Sequence, residues 1–584
     1  MKDFKNKNLL GLIILIWKHI YFQRKVQFCF ILLLIVITSF LEILSIGAVI
    51  PFLTILTDPN LIFNHSLLNK LFLQFGYIEP YQIKLPVTLF FVITVLISNF
   101  FRIVLLWVQT KFAFKIGSDF SINIYRNILY LPYLTQIKFN SSEYISTISH
   151  KTVLVVTQAL LPVLIIISSS FILISFLFIA LQFSPITTLK LIFVFGLIYL
   201  MITLFFKRRV ISYGDDINIK TNFLIKLLQE GFGGVREIII SSNQETYCNA
   251  YRYSEIKLRA AQANLMIIGQ TPRFIIEGIG ISVLVLFAFF ISKTDNSINS
   301  VIPVIGIIAL SAQRLLPIFQ QIYASITSLL GCKAILKEIL RYLEADTKID
   351  LINNGKSLTF NKIIEFKNIN FSYSKRVNIF KNFNLIIKKG SKVGIIGPTG
   401  CGKSTLIDLI MGLILPEKGK IFIDKTVLSE KNVSQWQENI SHVPQNIFLT
   451  DSTVIENIAF GENIENIDIE KAIKMAKKAC IHDDIINLPL KYNTLIGERG
   501  INLSGGQRQR IGIARALYRD KNVIVFDEAT SALDYKTEHQ VINNIFKTSP
   551  NVTLIMISHR ISTLKRCNMI IDLKNNLIKK VSQN

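Results

Sequence analysis

The sequence predicts an α-helical membrane domain of six spans followed by an α/β domain built around a phosphate-binding loop. Three observations carry that prediction. Hydrophobic residues make up 51% of the 584, and the mean hydropathy of +0.45 lies above the range of soluble globular chains. Before Cys332 the apolar residues gather into runs of about 20 or more, the length a helix needs to cross a bilayer. After Cys332 the composition turns charged, and strand-like runs alternate with helical ones in the pattern of a mainly parallel sheet.

Taken in chain order, the lysine-bearing start and NLLGLIILIW are expected to form a helix along the cytoplasmic membrane surface. No small-residue cleavage site follows, so a cleaved leader is disfavoured. The six apolar runs cover 26–56, 85–110, 153–183, 186–206, 272–292 and 300–331. Basic residues precede the first run (Lys2, Lys5, Lys7, Lys18, Arg24, Lys25) and fill the loops between runs two and three and between runs four and five, where Lys207, Arg208 and Arg209 begin the cluster. The positive-inside rule then places both termini in the cytoplasm of a multi-pass inner-membrane protein. The same loops account for the net charge of +25, so no nucleic-acid partner is called for. Both loops are long and rich in helix formers, as in IKLLQEGFGGVREIIISSNQE, which predicts helices continuing past the lipid as a stalk. The transmembrane domain is assigned to 1–335, KAILKEILRYLEADTK to a charged helical linker, and the nucleotide-binding domain to 340–584. Six scattered cysteines offer no C-x-x-C spacing for zinc or redox chemistry.

In the second domain GPTGCGKS follows the strand KVGIIG and opens the helix TLIDLIMGL, the context of a phosphate loop. Glycines are required there because side chains would keep backbone N–H groups away from phosphate oxygens, and the helix N-terminus favours negative charge. Lys403 is expected to reach the β and γ phosphates of ATP, and Ser404 to ligate Mg²⁺. Further on, VIVFDE is an apolar strand ending in two acids. Asp527 suits Mg²⁺, directly or through water, and Glu528 suits a general base acting on the attacking water. The plainer alternative is a pair of solvated acids at a strand end.

The phosphate loop, LSGGQ at 503–507, the acidic dyad, SALD at 531–534 and SHR at 558–560 occur in the order and approximate spacing of ATP-binding cassette proteins. Six spans followed by one cassette resemble an exporter-type half-transporter over the whole chain. The resemblance implies that Gly397, Pro398, Thr399, Gly400, Cys401, Gly402, Lys403, Ser404 and Thr405 cradle the phosphates and that Tyr373 stacks on adenine. It further implies that Gln445 links Mg²⁺ to the membrane domain and that His559 contacts the γ-phosphate. Ser504, Gly505, Gly506 and Gln507 are implied to serve a nucleotide held by the phosphate loop of a second cassette, and Asp534, in SALD, is implied to be nucleotide-binding. One cassette per chain therefore implies a dimer, and the intact motifs imply a homodimer with two competent sites.

Cargo is sought among ionisable residues inside apolar spans, which are costly in lipid and face cavities or partners. These are Glu42, Arg102, Arg273, Glu277 and Arg314. Arg273 and Glu277 stand one helical turn apart and could simply neutralise each other; alternatively Arg273 and Arg314 hold an anionic head group such as a pyrophosphate. PRxxxE, RLLP and GVREI resemble the exporter subgroup that includes PglK-type flippases of lipid-linked oligosaccharides. That resemblance implies a polyprenyl-pyrophosphate-linked glycan as cargo and membrane lipids as partners; export of a peptide, a drug or a lipid A-like lipid is the alternative. In the outer stretch PNLIFNHSLLNKLFLQFGYIEP, apolar residues at helical spacing, Leu71 and Phe72 among them, predict an amphipathic external helix that lies in the outer interface or packs as a lid against neighbouring spans, and the resemblance to PglK-type flippases implies that it senses the lipid tail.

Overall fold

The computed structural model describes residues 7–57, 77, 79, 81–183, 185–292, 316–345, 358–374, 377–548, 551–558, 560, 564, 566–575 and 577–580. The chain divides into two compact units, one of Met1–Leu131 with Lys138–Asp346, the other of Pro132–Ile137 with Thr347–Asn584.

The first unit is helical. Helix Leu9–Lys18 buries Leu12 and Ile16 in a cluster that also holds Leu336 and Ile339, while Leu10 and Ile14 stay exposed. Phe22–Gly47 and Val49–Thr57 follow, then three very long helical stretches. Lys84–Leu129 has 46 residues, and Pro185–Gly233 and Gln244–Ser292 have 49 each. At 1.5 Å per residue such helices are roughly 70 Å long, more than twice the ~30 Å hydrocarbon layer. The two basic loops are therefore helix over most of their length, as the sequence predicts.

Three helices among the described residues are long and apolar enough to span a membrane: Phe22–Ser45, Lys84–Leu129 and Ser141–Leu177. Their outward faces carry Leu33, Phe40, Leu96, Ile103 and Trp107, exposed as lipid-facing side chains would be. The fourth and fifth expected spans fall on Pro185–Gly233 and Gln244–Ser292. Of the sixth, residues 316–331 are helical; 300–315 lie outside the described residues. Ser141–Leu177 contains two π-helical turns, Thr147–Lys151 and Val156–Leu160. The charged helix expected as a linker, Lys333–Leu343, packs into the first unit through Ile335, Leu336, Ile339, Leu340 and Tyr342.

The second unit holds two sheets. Strands β1 (Ile363–Ser374), β2 (Val377–Lys388), β4 (Lys418–Ile423) and β5 (Thr426–Val427) form an antiparallel sheet in the order β2-β1-β4-β5. Strands β3 (Lys392–Ile396), β6 (Ile440–Val443), β7 (Val523–Asp527), β8 (Thr553–Ile557), β9 (Met569–Asp572) and β10 (Leu577–Lys580) form the other, in the order β10-β9-β3-β8-β7-β6. All its neighbours pair in parallel except β10, which runs antiparallel to β9 at the edge. Helices cover the parallel strands on both faces, so β8 is buried at every position and β7 at all but its last, which explains their unbroken apolar runs. Leu134, from the Pro132–Ile137 segment, packs against the same core.

Candidate nucleotide site

In an open parallel sheet, ligands gather at the carboxyl ends of the strands, where helix N-termini and loops converge. Four neighbouring strands of this sheet deliver the predicted groups there. The phosphate loop follows β3, Gln445 stands two residues beyond β6, Asp527 and Glu528 end β7, and Ser558 follows β8.

The loop after β3 leaves Pro398, Thr399 and Gly400 exposed, then enters helix Lys403–Ile410. Gly402 caps that helix at φ +100°, a left-handed conformation, and a Cβ there would lie 2.7 Å from Ile379 Cγ2. Only glycine fits both conditions. Lys403 folds back over the loop and donates to the carbonyls of Gly397 at 2.8 Å and Pro398 at 3.2 Å. Ser404 is exposed at the helix start, whereas Thr405 is buried.

Across the strand ends, Gln445 Nε2 donates to Glu528 Oε2 at 2.8 Å, so the structure brings together two residues that the sequence separates by more than eighty positions. Glu528 adopts φ +50°, an uncommon value for a non-glycine residue, and its carbonyl accepts from Ser531 N at 3.1 Å. Burial, and next the neighbouring Glu528, push the Asp527 carboxyl above its ordinary value; Lys403 works in the opposite direction. Negative charge concentrated in this way is what a cation would offset. Among the described residues no cluster of three or more His, Cys, Asp or Glu could hold a metal by itself. The groups present fit an ion such as Mg²⁺, which takes few protein ligands and completes its shell with phosphate and water.

LSGGQ sits elsewhere in the unit and is built as a helix cap. Ser504 precedes helix Gly505–Tyr518; its hydroxyl accepts from Gln507 N at 3.2 Å, and Ser504 N donates to Gln507 Oε1 at 2.9 Å. This reciprocal capping box fixes the first turn, with its N–H groups at a positive helix end. Gln507 also donates to Asp484 at 3.1 Å, and Arg510 pairs with Asp484 at 2.8 Å. Gln509 clamps the same helix to the SALD turn, donating to Ser531 Oγ at 3.0 Å and accepting from Ala532 N at 2.9 Å. Asp534 accepts from Thr537 N at 3.0 Å and caps the next helix, Tyr535–Thr548.

Tyr373, at the end of β1, is half exposed and meets Phe371 edge-on at 5.1 Å. Sequence reading missed its neighbours. Burial, and next the charge of Asp527, push the Asp408 carboxyl up to about 6, while a hydrogen bond with Tyr373 pulls it back. Tyr133, from Pro132–Ile137, has its phenol raised by burial and then by Asp408 and Tyr373. No local signal marks either residue, because each acquires its surroundings only through the fold. His559 lies outside the described residues.

Of the cargo candidates, Glu42 is buried and pairs with Arg102 at 3.3 Å. Arg273 and Glu277 form the expected i,i+4 pair at 3.8 Å, both substantially exposed. Arg314, Leu71 and Phe72 lie outside the described residues.

Residues 380–531 match the family described as ABC transporter. The ATP-dependent lipid A-core flippase of Wigglesworthia glossinidia brevipalpis is 31% identical over 81% of this chain and 80% of its own. The alpha-hemolysin translocation ATP-binding protein HlyB of Escherichia coli O157:H7 is 44% identical over 37% of this chain; that match spans 30% of HlyB's length. A bacterial Atm1-family ABC exporter solved with ATP bound shares the fold, with a TM-score of 0.75 at 21% identity over 94% of this chain and 93% of its own. Joining a helical membrane unit to such a cassette, the chain belongs to the ATP-binding cassette transporters, a family of transport-coupled ATPases, and has the exporter fold.

Proposed function

We propose that this chain hydrolyses ATP to drive an anionic glycolipid from the inner to the outer leaflet, working as a homodimer. The observation that carries the ATPase reading is the meeting of Lys403, Gln445, Asp527 and Glu528 at the carboxyl ends of adjacent parallel strands. In this reading Lys403 leaves the loop carbonyls for the β and γ phosphates, and loop N–H groups bind the remaining phosphate oxygens. Ser404, Gln445 and Asp527 would hold Mg²⁺. When bound, that ion neutralises charge on the β and γ phosphates. Glu528, held by Gln445, orients the attacking water and takes its proton, and His559 contacts the γ-phosphate. Tyr373 stacks on adenine, and Ser504 with its capped helix end serves the nucleotide of the second copy.

Glu528→Gln keeps ATP binding and lowers hydrolysis by about 100-fold or more, because an amide cannot accept the proton. Lys403→Ala loses affinity together with turnover. Near-normal hydrolysis in Glu528→Gln would remove it from the general-base role.

For cargo, a polyprenyl-pyrophosphate-linked oligosaccharide is the first reading, with Arg273 and Arg314 on the pyrophosphate and Leu71 and Phe72 near the lipid tail. Arg273 supports it, being exposed on an apolar helix although Glu277 stands beside it. A lipid A-like phosphoglycolipid is the second reading, favoured by the relative that aligns over 81% of the chain. ATPase stimulation in proteoliposomes, read against lipid-linked oligosaccharide, lipid A and an uncharged drug, separates them. Arg273→Ala is expected to weaken stimulation severalfold and Arg273→Lys to restore part of it, since a point charge lacks the bidentate fork. Equal stimulation by the uncharged drug would sink both anionic readings.

A further inference from the structure

Behind the strand ends, one buried carboxylate joins three of the segments described above. Glu538, on helix Tyr535–Thr548, has a side chain only 3% exposed. Its Oε1 accepts from Thr530 Oγ1 at 2.8 Å, and Thr530 stands two residues past Glu528. Its Oε2 pairs with Arg560 Nη1, and Arg560 is the residue after His559. The other arm of that guanidinium, Nη2, donates to the carbonyl of Leu533 in the SALD turn at 3.0 Å, and Arg560 N donates to Ser558 Oγ at 3.1 Å. A second tie lies further along: Arg566 donates to Asn543 Oδ1 and approaches His539 Nε2 at 2.7 Å, both on the helix that carries Glu538. One helix thus grips the chain beyond His559 at two points, Arg560 and Arg566.

The chemistry of this junction is informative. Leucine or methionine in place of Glu538 would fill the same volume without burying a carboxylate, so an ion pair here is a poor way to gain stability. What it adds is direction: a planar guanidinium bridging a carboxylate and a carbonyl fixes distance and orientation where apolar packing would tolerate sliding. The neighbouring turn needs such definition. Glu528 is held at φ +50°, and an uncommon backbone conformation persists only where its surroundings over-determine it. The Thr530 hydroxyl bonded to Glu538 is one such constraint, and the bond from Ser531 N to the Glu528 carbonyl is another.

We propose that Glu538 and Arg560 are positioning residues that hold the Glu528 turn, the SALD turn and the chain at Ser558 and Arg560 in one register. Neither acts on the nucleotide; each works through a residue beside it, and the inference rests on the roles proposed above for Glu528 and His559. Glu538→Gln keeps the shape and can still accept from Thr530, but it removes the charge facing Arg560. Thr530→Val removes the other arm and leaves the ion pair intact.

The test is steady-state ATPase of the full-length protein in proteoliposomes, with ATP affinity and the thermal midpoint measured on the same samples. Glu538→Gln and Arg560→Met are expected to lower kcat about tenfold or more while KM for ATP stays within about twofold, and Thr530→Val to lower kcat severalfold with the same KM. Arg560→Lys restores part of the loss, because charge returns without the two-armed bridge. A stable Glu538→Gln protein with wild-type kcat overturns the proposal, as does a loss confined to KM. If Glu538→Gln does not fold, Thr530→Val decides: reduced kcat at unchanged KM supports the register, and unchanged kcat overturns it. Glu528→Gln is measured in parallel. Full activity there overturns both the general-base reading and the positioning built on it, whereas abolished activity there beside normal activity in Glu538→Gln overturns the positioning alone.

Discussion

The nucleotide site is divided between residues whose chemistry dictates a local spacing and residues whose role exists only once the chain has folded. Lys403 and Ser404 belong to the first kind: a loop that wraps phosphate must place glycines, lysine and hydroxyl within a few positions, so the pattern is legible as text. Asp408 belongs to the second. Nothing about an aspartate in TLIDLI marks it, yet burial and then the charge of Asp527 push its carboxyl up to about 6. Folding therefore favours its neutral form. The stability this contributes is fully present below the unfolded value of 3.8 and is lost as pH rises through about 6. Asp408→Asn, which is neutral at every pH, is expected to raise the thermal midpoint relative to wild type at pH 8 and to have little effect at pH 4. Thermal melts of both proteins at the two pH values check this, and a stabilisation that is the same at both would assign it to packing instead.

At the scale of elements, the long helices and the buried strands were readable from hydrophobic period and run length, because lipid and a two-sided core each impose a pattern on consecutive residues. The joints between elements were not. Lys151, buried in the π-turn Thr147–Lys151, pairs at 2.5 Å with Glu338 of helix Lys333–Leu343, and Thr147 Oγ1 donates to the same carboxylate at 3.2 Å. The sequence reading places Glu338 only within a charged helical linker. Removing one member of a buried pair strands the other, so Glu338→Ala is expected to cost about 3–5 kcal/mol, whereas Lys151→Met with Glu338→Leu is expected to be near neutral. Denaturation of the detergent-solubilised variants distinguishes the two, and equal losses would show that volume, not charge, sets the cost. A second joint depends on absent side chains. A Cβ on Gly214 would lie 2.0 Å from the Gly331 carbonyl oxygen, while one on Gly331 would meet the end of the Leu265 side chain at 3.0 Å. Backbone cannot yield as a leucine tip can. Gly214→Ala is expected to destabilise by about 1–3 kcal/mol and Gly331→Ala by clearly less, measured by the same melts; the reverse order would mean that these helices separate more easily than their packing suggests.

For the whole molecule, the question is how many chains one ATP site requires. Within the second unit, Ser504 and Gln507 bond to each other and Gln507 reaches Asp484, while Lys403 bonds to the carbonyls of its own loop. The capped helix end at Ser504 thus presents N–H groups at a positive terminus, ready for an anion that a second copy would bring. That expectation is tested by complementation. Ser504→Arg places a bulky cation at the cap, and Lys403→Ala removes the ammonium expected to bind phosphate; each change alone is expected to disable both sites of a homodimer. When the two variants are co-expressed with different tags and the mixed pair is isolated, composite sites predict an unequal outcome. One site combines an intact phosphate loop with an intact Ser504, and the other is damaged on both sides. Vanadate-trapped nucleotide should then appear in the mixed pair and be absent from either homodimer. Were each site built from a single chain, every site in the mixture would be defective and trapping would stay at the homodimer level. Trapping labels a site that has fired once, so it registers the intact site even if steady turnover requires both sites to act together.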